Sequence, residues 1–86
     1  MPELSRFYGI VVGMFSNDQG PPHFHAYYGS DEALVATETL SIFAGRLPPR
    51  AMGLVIEWAS LHQAELREAW RKAQSLESPG RIAPLP

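Results

Sequence analysis

The chain of 86 residues contains no cysteine, which excludes disulfide bonds and thiolate metal ligands. It also lacks an apolar run near the ~20 residues of a membrane-spanning helix, and its N-terminus has no cationic segment followed by an apolar one. Stability must therefore come from the packing of its hydrophobic residues, which make up 45% of the chain. We expect a soluble cytoplasmic protein with no membrane contact, folded as one domain over residues 1–78 with an extended tail over residues 79–86.

Positive charge is also scarce, with 7 Lys and Arg against 9 Asp and Glu and a net charge of −2. Because lysine and arginine supply most of the non-specific affinity for nucleic acid, this balance argues against a strongly electrostatic nucleic-acid binder. This balance does not exclude a local basic patch. Arg46 and Arg50 flank the start of a predicted helix, where the helix dipole favours an anion.

The N-terminal half of the chain predicts β-strands. Aromatic and β-branched residues dominate residues 6–15, and a dense turn signal over residues 16–22 separates them from a second strand at His23–Tyr28. A third strand is predicted at residues 32–38, and residues 40–44 form either a fourth short strand or an irregular crossing. The sequence therefore predicts a three- or four-stranded antiparallel sheet.

The C-terminal half predicts helix. Pro48-Pro49 is the sharpest break in the chain, and proline suits a first helical turn. From there the apolar residues recur at helical spacing: Ala51, Leu54, Val55, Trp58, Leu61, Leu66, Ala69, Trp70 and Ala73. This pattern predicts a helical hairpin or one bent helix that covers one face of the sheet, with both tryptophans in the core. The fold class is thus α+β.

The segment Pro21-Pro22-His23-Phe24-His25 carries the strongest functional signal. Side chains alternate across a strand, so both imidazoles lie on one face about 6–7 Å apart while Phe24 points to the other. Phe24 and Ala26 suit the helix-covered face, which predicts that His23, His25 and Tyr27 project into solvent.

Three kinds of chemistry fit this histidine pair. The two imidazoles could act as acid and base in a metal-independent endoribonuclease, with Arg6 or Arg46 as the cation that stabilises the phosphorane. They could bind a metal with Asp18, although two imidazoles hold a divalent ion weakly and further ligands must come from Asp31, Glu32 or His62. We therefore expect no resident metal or other cofactor.

The third reading is a binding surface for a protein or RNA partner. Histidine and tyrosine side chains on an exposed strand, with arginines nearby, offer hydrogen bonds and stacking without a deep pocket. The residues assigned to this surface are Arg6, Tyr8, His23, His25, Tyr27 and Arg46.

Four ordered motifs extend over almost the whole chain. They are Ser5-Arg6-Phe7-Tyr8-Gly9-Ile10-Val11-Val12, Pro21-Pro22-His23-Phe24-His25-Ala26 with Tyr28-Gly29, Gly45-Arg46-Leu47-Pro48, and Glu57-Trp58-Ala59 with Leu61-His62. On these motifs the chain resembles the small bacterial family of unknown function that carries the number 4160. The residues that match the family pattern as candidate site positions are Arg6, Tyr8, His23, His25 and Trp58.

The resemblance implies a context and no biochemical activity. Proteins of this family resemble components of small bacterial gene pairs and are suspected of toxin–antitoxin roles. The leading hypothesis is therefore a small interaction module, more consistent with a binding protein than with an enzyme, that binds a small partner protein or RNA through the His23/His25 strand. A homodimer stays open, as do the ribonuclease and metal-binding alternatives.

Overall fold

A computed structural model describes residues 2–86. It consists of a five-stranded sheet followed by two helices, which confirms the α+β class and corrects the strand number from three or four to five. Neighbouring strands pair antiparallel in the order of the sequence. The elements are β1 (Glu3–Phe7), β2 (Ile10–Gly13), β3 (His23–Tyr28), β4 (Asp31–Ala36), β5 (Ile42–Gly45), α1 (Pro49–Leu61) and α2 (Gln63–Gln74).

The additional strand arises because the predicted first strand, residues 6–15, is a hairpin. Phe7 pairs with Ile10, and the two residues between them, Tyr8 and Gly9, have φ values of 50° and 79°. Positive φ at both central residues characterises the type I′ turn, whose twist matches the flanking strands. Only Gly9 signals this turn in the sequence, because a tyrosine at positive φ is uncommon.

One face of the sheet carries the hydrophobic core. Val12, Ala26 and Ala33 lie opposite one another on three adjacent strands, and all three are fully buried. Above them, Trp58 of α1 contacts Phe24 at a ring-centroid distance of 5.9 Å. Helix α1 therefore covers the face to which Phe24 and Ala26 point, as the alternation of residues predicts.

The helical region is two helices separated by His62. Pro49 begins α1, where its missing N–H has no partner to lose. The buried residues of α1 are Ala51, Val55, Trp58 and Ala59, and those of α2 are Leu66, Ala69 and Ala73. Neither helix in the described part of the chain combines the length and apolarity needed to span a bilayer.

The segment after α2 has no helix or strand, yet it packs against the sheet and α1. The N–H of Ile82 donates to the Leu4 carbonyl at 2.8 Å, which engages the edge strand β1. The Trp58 indole N–H donates to the Ala83 carbonyl at 2.8 Å. Ile82 and Leu85 are buried. These residues therefore belong to the core and cover the β1 side of the sheet.

Candidate metal centre

The His23 and His25 rings lie side by side on the sheet face opposite the core, with centroids 5.3 Å apart. This confirms the predicted pleat parity. His23 and His25 are only 6% and 8% exposed, however, so the prediction that their rings project into solvent was wrong. A second layer covers this part of the sheet.

Aromatic side chains from three separate segments form this cover. Phe15, just after β2, meets the His25 ring edge-on at a centroid distance of 4.7 Å. Trp70 of α2 and Phe43 of β5 each lie 5.3 Å from the His23 ring. An imidazole enclosed in this way has few water molecules to bind, so its nitrogens need partners within the protein.

Asp18 reaches both rings from the loop between β2 and β3. Its Oδ2 atom lies 2.8 Å from His25 Nε2 and 3.2 Å from His23 Nε2. The three donor atoms all lie within 4.8 Å of one another. The loop is also tied to α2, since the Gln74 side-chain amide donates to the Asp18 carbonyl at 2.9 Å. The structure thus places Asp18 beside the two histidines, as the sequence suggested.

The other nitrogen of each ring also faces an acceptor. His23 Nδ1 is 2.9 Å from the Pro21 carbonyl oxygen, and His25 Nδ1 is 2.9 Å from Glu32 Oε2. Asp18 Oδ2 on the Nε2 side is an acceptor as well, so each neutral ring can donate its single proton to one side only. When both protons lie on Nδ1, two Nε2 lone pairs and a carboxylate oxygen converge on the same small region.

The surroundings of this region are anionic. Burial and the neighbouring charge and hydrogen bond of Glu32, with a further contribution from Asp18, raise the pKa of Tyr27 to about 12. Within residues 2–86 no lysine or arginine forms an ion pair with Asp18 or Glu32. A cation placed between the three donors would therefore be attracted by carboxylates that no lysine or arginine neutralises through an ion pair.

The remaining residues of the predicted recognition surface lie apart from this cluster, except Tyr27, which stacks on His25 with an angle of 14° between the rings. Arg6 is bound to Glu3 at 2.8 Å. Tyr8 lies in the β1–β2 turn and donates to the Pro86 carbonyl at 2.6 Å. Arg46 borders a surface cavity with Asp31 and Pro48. Their binding roles stay predictions.

Several residues around the histidines escaped the sequence analysis. Phe15 belongs to a segment interpreted as a strand, Phe43 to one interpreted as a short strand or an irregular crossing, and Trp70 was assigned to the core. Glu32 was named as a further ligand, whereas it binds the outer nitrogen of His25. The available signal was its position directly opposite Tyr27 in the β3–β4 hairpin, which places it on the histidine face.

Comparison with protein families gives one match. The family described as "Domain of unknown function (DUF4160)" matches residues 9–71, more than half of the chain. The chain belongs to the DUF4160 family. The matched part of this DUF4160 protein contains Asp18, both histidines and Glu32. Searches of curated proteins and of solved structures find no match.

Proposed function

We propose that this DUF4160 domain binds one divalent transition-metal ion of the zinc type through Asp18, His23 and His25. The observation that carries the proposal is the convergence of the two Nε2 atoms on Asp18 Oδ2 while both Nδ1 atoms face acceptors on the outer side. With the ring protons on Nδ1, these three electron-rich atoms repel one another unless a cation lies between them. Outward Nδ1–H bonds to carbonyl and carboxylate groups are also typical of metal-binding histidines.

The donor types favour a transition metal over magnesium or calcium. Imidazole nitrogen suits zinc, iron, nickel and copper, whereas magnesium and calcium prefer oxygen ligands alone. Ligand bonds of about 2.0–2.1 Å in a tetrahedral site place the ligand atoms about 3.3 Å apart. The observed separations of 2.8 and 3.2 Å are near that value. Three protein ligands leave a fourth position for water or another group.

The same geometry gives less support to a metal-independent ribonuclease. That mechanism needs a cation to stabilise the phosphorane beside the two imidazoles. Arg6, one of the two residues expected to supply it, is bound to Glu3 at 2.8 Å, and Arg46, the other, borders a surface cavity with Asp31 and Pro48. Both rings are also covered by aromatic side chains, which limits the approach of an RNA backbone.

Metal retention tests the proposal directly. The purified domain loaded with zinc and dialysed against metal-free buffer should keep about one zinc per chain, since three preorganised ligands bind far more tightly than surface groups. Elemental analysis measures the ratio. Asp18→Asn should lose the metal, and the neighbouring acid substitution Asp31→Asn should keep it. A wild-type domain that emerges metal-free contradicts the proposal.

A second proposed function is the binding of a small partner protein through the edge of the sheet. Edge strand β5 is exposed along its whole length and carries no charged residue. Ile42 and Phe43 are 45% and 49% exposed. By contrast, the β1 edge is engaged by Ile82. An uncharged, uncovered edge strand readily pairs with an extended segment of another chain. The resemblance to proteins from small gene pairs supports such a partner.

Charge placed on β5 tests this pairing. Ile42→Lys should abolish co-elution with the protein encoded beside this gene, because a lysine at a sheet edge opposes strand addition. Leu61→Lys replaces another exposed apolar residue, 64% exposed on α1, and should leave co-elution unchanged. Equal co-elution of both variants and wild type contradicts edge pairing. Loss of a self-dimer in Ile42→Lys would instead assign the edge to a second copy of the chain.

A further inference from the structure

We infer that Glu32 is a positioning residue that fixes the tautomer of His25 and thereby controls how tightly the centre binds metal. The inference deepens the proposed metal-binding function and rests on it. Glu32 Oε2 lies 2.9 Å from His25 Nδ1, and when it accepts a proton from this atom the ring offers its Nε2 lone pair toward Asp18. Glu32 is not one of the three converging donors.

The backbone of Glu32 holds the carboxylate in reach of the ring. In the β3–β4 hairpin Glu32 pairs with Tyr27, two residues along the strand from His25. On its other side the Glu32 carbonyl accepts the N–H of Arg46 at 2.9 Å. Gly45 allows this approach, because a Cβ atom there would lie 2.1 Å from the Glu32 carbonyl oxygen. Strand β4 is therefore fixed at Glu32 from both sides.

The two histidines depend on different kinds of outer partner. His23 Nδ1 faces the Pro21 carbonyl, a backbone group that no side-chain substitution removes. His25 Nδ1 faces a carboxylate side chain. A substitution at Glu32 thus changes the environment of one ligand and leaves the other intact. A carboxylate also makes the imidazole a stronger metal donor than a carbonyl does.

Loss of Glu32 would favour the wrong tautomer of His25. In the wild-type domain both nitrogens of His25 face a carboxylate, Glu32 at Nδ1 and Asp18 at Nε2. Without Glu32, the remaining acceptor is Asp18 Oδ2, 2.8 Å from Nε2, and the proton moves to that side. That tautomer removes the lone pair that the metal needs. Metal binding must then first reverse the tautomer. Outer carboxylates of this kind typically change metal affinity by about 10–100-fold.

Two measurements on Glu32→Ala test the inference. Zinc titration calorimetry should show a dissociation constant raised about 10–100-fold. Nitrogen NMR of the metal-free domain, at a pH where the imidazoles are neutral, should show His25 changing from the Nδ1–H to the Nε2–H form. Asp31→Ala, which removes the adjacent exposed carboxylate of the same strand, should change neither quantity. Glu32→Gln keeps an acceptor oxygen and should restore part of the affinity and the Nδ1–H form.

The outcomes separate this inference from the metal proposal itself. If Glu32→Ala binds zinc like wild type and His25 keeps its Nδ1 proton, Glu32 has no positioning role while the metal site stands. If wild type binds no zinc, the proposed function fails. The tautomer of His25 in the metal-free domain still tests the role of Glu32 in that case.

Discussion

Zinc at a free concentration 100 times its dissociation constant is expected to raise the melting temperature of the domain by about 10–20 °C. Binding to the folded state alone contributes about 2.7 kcal/mol at this concentration. In a domain of 60–100 residues, each kcal/mol shifts the melting temperature by about 4–8 °C. Because Asp18, His23 and His25 are close in sequence, the unfolded chain keeps some affinity, which favours the lower half of the range. Differential scanning calorimetry with and without zinc measures the shift.

Three variants make this result specific to the centre. His25→Ala and Asp18→Asn remove one ligand each and should show almost no response to zinc. Asp31→Asn removes a nearby carboxylate that does not touch the cluster and should respond like wild type. Magnesium should have little effect on any of these proteins, since it prefers oxygen ligands. An equal zinc response in His25→Ala and wild type would place the ion elsewhere on the molecule.

Trp58→Ala is expected to lower the free energy of unfolding by about 3–5 kcal/mol, the usual loss for a large aromatic side chain removed from a core. Trp58 is fully buried, and its ring contacts Phe7 and Phe24 with centroid distances of 5.5 and 5.9 Å. Its indole N–H also holds the Ala83 carbonyl at 2.8 Å. A domain of this size has a total stability of only about 4–13 kcal/mol, so much of this variant should be unfolded.

Two comparison variants show how much of this loss of stability comes from the hydrogen bond to Ala83 and how much from the position of Trp58 in the core. Trp58→Phe keeps an aromatic ring and loses the bond to Ala83, so it should lose about 1–3 kcal/mol. Trp70→Ala removes the other tryptophan, which is half-buried and packs on His23, and it should lose less than Trp58→Ala. Urea unfolding followed by circular dichroism gives all three values. Equal losses for Trp58→Ala and Trp70→Ala would contradict the central position of Trp58.

The alternation of side chains along β3 correctly predicts which face of the sheet each residue occupies. It does not predict whether the histidines are exposed. Period-2 spacing places Phe24 opposite His23 and His25, and the structure agrees. Exposure depends instead on what folds over the face, and the covering loop over residues 14–22 has no periodic signal. Its conformation is set by contacts such as the Gln74 bond to Asp18, which join segments far apart in the chain.

The two tryptophans show that the helical spacing of apolar residues also predicts only part of the structure. Trp58 and Trp70 both fit one apolar helical stripe in the sequence, which predicted a shared role in the core. In the structure Trp58 is fully buried and packs on Phe24, whereas Trp70 is only partly buried at the border of the core and also packs on His23 from the opposite side of β3. The break at His62 between α1 and α2 separates them. A helical period predicts which residues share a face only while the helix continues.

The polar residues of the centre are close together in the sequence, whereas the aromatic residues that cover it come from distant parts of the chain. Asp18 and Glu32 each lie seven positions from His25, so a single hairpin with its preceding loop contains the hydrogen-bonded cluster. Closing such short loops costs little chain entropy. The contact between Trp70 and His23, by contrast, joins residues 47 positions apart and requires α2 to be docked on the sheet. Formation of the proposed metal-binding cluster is therefore a local matter, whereas its shielding from water depends on the complete fold.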